Sequence, residues 1–512
     1  MNFLVNILKI IIVLALIAVA GVFIAMGAMV LFPSFSLFGI HYVSGDSQKT
    51  AYYYDITDTE NGLASKWASV DTVLIETDGW NVNISTDVDY TEKGFDIWVS
   101  RSYRGFATNP VSTAEFSGYK FEERAEGTYM YVYMTEPTGL ISKSDAVVDV
   151  RVGANVLAGK KLEIKTNSGI VTVGESVTDR STTLNIKDLA IKSTNGLVKI
   201  RDVNVIDNLV VEKESGEVKV STDLTCDVNL DIKSGYGNAE FLSIGSDLSE
   251  NSLVINKMFN SGIYFDDIYG DLLITADGGY VKGNKVNNSV LVNAKTCKLI
   301  LNEVGGMTSF TNSEGSLEVK KALGGVTAQI TNGNGSINIE ELKGTTTSKL
   351  ETRNGEIKVQ NVYCDVNIKS VSGKINLTNA TDELVNFVIE SNDSEVILND
   401  VNGSVKLTTL NKGKARVSAT YVNLLGENKF ITQTGVIDVK FTNANHKFLF
   451  KEWQTANKVN IKLSNLEEYD SNNSLTDERY KSGVKIGGYT GTENNLSLIS
   501  VSGAINVNYV QS

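Results

Sequence analysis

The 512 residues are 42% hydrophobic and 21% charged, which excludes a disordered tail, and a net charge of −13 argues against binding a phosphate backbone. Forty-four Gly stand against three Pro, none after Pro137, so the long Pro-free remainder keeps its backbone N–H groups for ladders. Two His and three scattered Cys exclude His- or Cys-rich metal sites.

At the start, residues 10–32 form an uninterrupted uncharged stretch of Ile, Val, Leu, Ala, Phe, Met and Gly. A bilayer core of about 30 Å needs about 20 apolar helical residues, so 10–32 is expected to be a transmembrane helix. Lys9 precedes it and no Lys or Arg follows until Lys49. The positive-inside rule therefore places a stub, residues 1–9, in the cytoplasm and the rest outside the cell membrane. The competing reading is a cleaved signal peptide, with Ala18-Val19-Ala20 or residues 25–28 as the cleavage region. Residues 33–69 follow as a juxtamembrane segment.

Residues 70–160 are expected to form an N-terminal cap and the first coils. The segment 73–84 already reads as strand, Gly turn and strand. Tyr129, Tyr131 and Tyr133 alternate with Met130, Val132 and Met134, and three of the four Trp (Trp67, Trp80, Trp98) lie between 45 and 160. Such bulk suits a plug over an open coil.

From 161 to 512 a repeat dominates. A Gly turn leads into an alternating strand, as in Gly196-Leu197-Val198-Lys199-Ile200, Gly335-Ser336-Ile337-Asn338-Ile339 and Gly355-Glu356-Ile357-Lys358-Val359. An acidic or amide corner with an apolar residue follows: Asp266-Asp267-Ile268, Glu340-Glu341-Leu342, Asn399-Asp400-Val401. Another alternating strand then leads to the next turn. Period-two alternation places Ile, Val and Leu on one face, but four or five residues cannot bury that face alone. Stacked coils can. The fold class is therefore all-β: a long parallel β-solenoid of about 20 residues per coil after one N-terminal transmembrane helix. The crossover rule favours a right-handed β-helix. Roughly 17 coils would make a rod roughly 80 Å long. A polar loop is expected at 465–482, and a last strand near Ile505–Tyr509 is expected to leave an open edge unless that loop or a partner covers it.

The run Asp145-Ala146-Val147-Val148-Asp149-Val150-Arg151-Val152, followed by Leu162-Glu163-Ile164-Lys165-Thr166-Asn167-Ser168-Gly169-Ile170-Val171-Thr172-Val173, resembles the bacterial putative-adhesin β-solenoid family. The likeness runs from about residue 70 onward and implies a cell-surface β-solenoid; its motifs are structural and carry no active-site residues.

Searches for chemistry return no catalytic, cofactor-binding or metal residues. GxSxG, HExxH, CxxC and P-loop patterns are all missing. His41 and His446 stand 405 positions apart and read as ordinary residues. Cys226, Cys297 and Cys364 read as three buried thiols. Asp266-Asp267, Glu340-Glu341 and Glu122-Glu123 could serve a carbohydrate-active β-helix as acid and base. Neighbouring strand residues point to opposite faces, however, so these pairs read better as turn residues that maintain the repeat. The expected function is a non-catalytic, membrane-anchored extracellular module, adhesin-like, with a glycan, matrix or protein ligand on the solenoid face, no cofactor and no nucleic acid. An envelope regulatory or scaffolding accessory docking on a membrane partner is the alternative, and a carbohydrate-active enzyme comes third.

Overall fold

The protein, a computed structural model, is described at residues 2–31, 36–37, 39–45, 50–77, 79–86, 94–100, 103–107, 117–134, 139–143, 147–176, 182–379, 383–410, 416–463, 466–467 and 480–510. It divides into two compact units, Met1–Thr222 and Asp223–Ser512.

The first unit opens with one helix, Asn2–Leu31, of which Ile7–Leu31 is long and apolar enough to cross a membrane, with a mean hydropathy of 3.0. The helix begins before the expected position 10 and takes in Lys9, while Phe32 lies outside the described residues. Behind it stands a small antiparallel sheet in which Tyr103–Ala107 pairs with both Ile40–Gly45 and Gly139–Lys143. A short helix, Leu63–Ala68, has no periodic signature in the sequence; it buries Trp67, over whose ring the Lys160 amine sits at 5.5 Å.

The coils of this unit do not all follow chain order. Thr72–Thr77 lies between Gly127–Met134 and Lys161–Thr166, parallel to both. Asn81–Thr86 likewise lies between Val147–Val152 and Val171–Ser176. Gly127–Met134 and Val147–Val152 thus cover a coil that precedes them in sequence. They are covered in turn by antiparallel strands: Ser117–Arg124 on Gly127–Met134, and Gly94–Ser100 on Val147–Val152. These antiparallel strands fall within 70–160, the region expected to hold a cap and the first coils. Strands of opposite direction close the ladder without offering a template for another coil.

In the second unit, parallel coils stack in register. One core column runs Leu299, Leu317, Ile337, Ile357, Ile375, Val396, Val417, Ile437, Ile505, each directly above its neighbour and each without exposed surface. Full burial of such a side chain is worth about 1.5–3 kcal/mol, and the column repeats that gain at every coil. Ile339 over Val359 and Leu342 over Val362 form two further columns beside it.

The Gly turns stack as tightly. A Cβ on Gly355 would come within 1.7 Å of the Gly335 carbonyl oxygen, and one on Gly335 within 1.9 Å of that of Gly315. At these positions close approach of the backbones, rather than a positive φ, demands Gly. At Gly196 (φ 97) both reasons apply.

The last coils again depart from chain order. Asn495–Ser500 lies between Glu427–Thr432 and Phe448–Gln454, and Ile505–Tyr509 between Val436–Phe441 and Val459–Lys462, all parallel. The expected open edge at Ile505–Tyr509 is therefore wrong: that strand is paired on both sides. Phe448–Gln454 is covered by the antiparallel strand Tyr480–Ile486, which also pairs with Leu466–Glu467. These strands occupy part of the expected 465–482 loop; 468–479 lies outside the described residues.

Gly355→Ala should force two coils apart and destabilise the protein by about 1–3 kcal/mol. Thermal unfolding followed by circular dichroism would show a lowered Tm, and an unchanged Tm would mean that the stack yields at no cost.

Candidate functional site

Each coil turns a corner after its alternating strand, and there the alternation breaks. In Ile337–Leu342 the burial sequence places Glu340 and Glu341 outward in succession before Leu342 returns to the core; Ile357–Val362 does the same with Gln360 and Asn361. Asp266 and Asp267 also face outward together ahead of buried Ile268. The expectation that such neighbours point to opposite faces is corrected: a bent strand can present both.

Stacking turns the second of these positions into a column. Asp267, Lys285, Glu303, Lys321, Glu341 and Asn361 succeed one another in adjacent coils. The signs alternate. Lys285 reaches Glu303 at 3.4 Å and Lys321 reaches it at 3.9 Å from the other side. The Asn284 amide donates to Asp267 (2.8 Å), and the Asn302 amide donates to the Asn284 side-chain oxygen (2.9 Å). The Lys343 ammonium sits 2.5 Å from Glu341 and 4.6 Å from the centre of the Tyr363 ring. Hydrogen bonding to Glu341 raises the Lys343 pKa. These carboxylates are spent on neighbours. Exposed pairs of this kind contribute about 0–1 kcal/mol each, but opposite signs across a coil step favour one register over a slipped one.

The third acid pair belongs to the first unit. Glu122 pairs with Arg124 at 2.9 Å, a hydrogen bond that holds its carboxyl below the usual range. The Arg124 guanidinium lies over the Tyr129 ring at 4.9 Å. Glu123 stands opposite Thr128.

His41 lies in Ile40–Gly45, half-buried; His446, in the other unit, is buried with its ring 4.7 Å from that of Phe441, and burial lowers its pKa. All three cysteines are buried thiols. Burial pushes Cys297 up to about 12, far from nucleophilic use. Among the described residues no group of three or more His, Cys, Asp or Glu is placed to hold a metal ion.

One buried base escaped the sequence reading. Lys213 continues a column of turn residues, Thr166, Ser193, Lys213, and is 1% exposed. The Ser193 hydroxyl donates to the Asn195 carbonyl at 2.6 Å; the Lys213 amine reaches the Gly196 carbonyl at 2.6 Å. Burial brings its pKa down to about 8.

A groove of about 700 Å³ lies in the second unit on the strand before the Gly turn. Gln329, Glu351, Lys369 and Glu390 occupy one outward position in successive coils. The Gln329 amide donates to Glu351 (3.2 Å), and Lys369 faces Glu390 at 3.7 Å. Arg353, Val371 and Leu410 form the far wall, the last two 45% and 50% exposed. No motif announces this groove. Its residues are far apart in sequence and meet only through the register. A narrower groove of about 480 Å³, with Asp277 and Lys295 in its lining, lies on the equivalent strands of preceding coils.

Residues 266–385 match the Toastrack DUF4097 family model. No curated relative matches the chain. A solved structure titled as a putative cell adhesion protein from Clostridium sporogenes aligns with 58% of this chain and 100% of its own at 13% identity; its TM-score of 0.19 is too low to carry an argument.

Glu303→Lys would put three ammonium groups in successive coils. It should cost about 1 kcal/mol at low salt and less at high salt, read from urea unfolding at two ionic strengths. Equal stability at both would show that the ladder does not fix register.

Lys213 makes a separate expectation in pH. Below pH 8 both folded and unfolded chains carry the proton, and the buried charge costs stability. Between pH 8 and 10.5 the unfolded chain keeps a proton that the folded chain has released, so stability rises with pH. Relative to Lys213→Met, the natural protein should gain on the order of 3 kcal/mol across that window. A flat difference between the two would place the amine in water.

The Toastrack match over residues 266–385, together with the stacked parallel coils, bears out the resemblance of this chain to the putative-adhesin β-solenoid family.

Proposed function

We propose that the protein is a non-catalytic, membrane-anchored surface module that binds its ligand along the outward columns of the solenoid. The observation that carries this reading is the groove through Gln329, Glu351, Lys369 and Glu390: a continuous polar surface with an apolar wall at Val371 and Leu410, built across coils on a rigid core. A rigid, pre-formed surface loses little entropy on binding. The ion-paired corner carboxylates support a structural rather than catalytic role for the acid pairs.

The anchor in this reading is the helix within Asn2–Leu31, uncleaved, with residues 1–9 cytoplasmic and the coils extracellular. A cap and first coils at 70–160, solenoid repeats from 161, right-handed winding and about 20 residues per coil complete the proposal. Register partners such as Leu317, Ile337 and Ile357 support that coil size. The ligand is a glycan, a matrix component or a protein. Docking on a membrane partner draws on a different feature, the outward apolar positions Leu273 and Leu291 in adjacent coils, with Leu291 49% exposed.

The full chain in detergent micelles should bind members of an array of cell-surface glycans and matrix proteins. The Glu351→Ala, Arg353→Ala, Lys369→Ala triple variant should lose about tenfold or more in affinity with little change in Tm. It should release no reducing or unsaturated sugar from those glycans. Binding indifferent to the triple change, or sugar release abolished at Asp266, Asp267, Glu340 or Glu341, would overturn the proposal.

A further inference from the structure

Residues 427–441 and 448–462 build two coils whose strands pair with 495–509 rather than with each other, although the Phe441 and Phe448 rings stack at 5.1 Å where the chain passes from one to the other. Residues 495–509 fill the space between them. Asn495–Ser500 pairs with Glu427–Thr432 on one side and with Phe448–Gln454 on the other. Ile505–Tyr509 does the same between Val436–Phe441 and Val459–Lys462. Both flanking coils precede the filler in the chain. Without the filler, the facing backbone edges on both walls of that slot would be unpaired, a template for an incoming strand pair.

The filler is held by that slot. Leu496, Leu498, Ile505 and Val507 are fully buried. The Thr455 hydroxyl donates to the Gly503 carbonyl at 2.6 Å, and the Asn506 amide donates to Asp438 at 2.6 Å. The connection that delivers it, residues 487–494, contains two successive glycines, Gly487 and Gly488, both at φ 66, and lies at the surface. None of the pairings depends on which copy of the chain supplies the filler.

We infer that the slot between 427–441 and 448–462 is a strand-exchange site, and that its partner is residues 495–509 of a second copy of this chain. Closed and exchanged forms share the same pairings and buried side chains, so the balance between them follows from the connection and the local concentration of copies. Where copies share one membrane, as in the function proposed above, that concentration is high. The exchange itself does not depend on that function.

The test uses the full chain in detergent. Lys440 and Asn508 stand opposite each other across the slot wall, as do Asn460 and Asn506 on the other side. Lys440→Cys and Asn508→Cys proteins are unfolded in urea, mixed, refolded together and oxidised mildly. The expected product is a disulfide-linked pair of twice the chain mass containing one copy of each variant. It should be lost when each protein is refolded separately before mixing, and missing from the natural chain, whose thiols are buried. The double variant, refolded dilute, should close its bond within one chain, which checks the geometry. The Asn460→Cys and Asn506→Cys pair gives an independent reading should the first pair perturb folding. Monomers alone in both mixtures, alongside internal closure in the double variants, would overturn the inference. Loss of glycan binding would leave it standing.

Discussion

Backbone contact between stacked coils is the constraint on which the rest depends. Neighbouring strands in a parallel sheet sit about 4.8 Å apart, and a turn that repeats at that spacing has no room for a side chain pointing along the stack. The Gly315, Gly335, Gly355 column meets this demand directly, since a Cβ at each upper position would fall inside the carbonyl below. Once the turns are locked, the strands between them can align only one way. Ile and Val then fall above Ile and Val, and a one-residue slip would turn the whole apolar column into water.

A parallel stack has no natural end, because its last coil offers the same ladder as every other. In each unit the chain answers by leaving order. Gly127–Met134 and Val147–Val152 cover the coil strands Thr72–Thr77 and Asn81–Thr86, and 448–462 covers the coil at 495–509. Antiparallel strands then lie over Gly127–Met134, Val147–Val152 and Phe448–Gln454. A reversed strand spends the exposed N–H and C=O groups while breaking the parallel repeat that could otherwise continue into another molecule. The cost is topological: a coil must be inserted between two others instead of being laid on top.

Much of this was legible from residue types. Gly355-Glu356-Ile357-Lys358-Val359 states the turn, the strand and its buried face, and the column through Ile337, Ile357 and Ile375 lies where the repeat places it. The out-of-order coils were not legible, for a physical reason. Stretches 427–441, 448–462 and 495–509 carry similar alternation, and local pattern fixes which face is buried but not which coil lies above. Strict period-two alternation sets the corner carboxylates in opposite directions, and the bend at the corner undoes that opposition. The signal that would have corrected this was present: Asp267, Lys285, Glu303, Lys321 and Glu341 alternate in sign at the coil spacing. Lys213 sits where Thr166 and Ser193 place hydroxyls, and only the packing shows that its amine turns inward.

The division between inward and outward columns also explains why the groove carries no motif. Inward positions are bound by volume and turns by contact distance, and of the outward columns only the charged corner adds to the choice of register. The other outward side chains are then free to vary coil by coil, and a run such as Gln329, Glu351, Lys369, Glu390 can change its chemistry without disturbing the stack. Each added coil extends that run by one position on a support already paid for by the core. A surface of this kind recognises by accumulation over several coils rather than by a few converging groups. That arrangement suits the proposed binding role, whereas catalysis would ask for an acid and a base brought together around one bond.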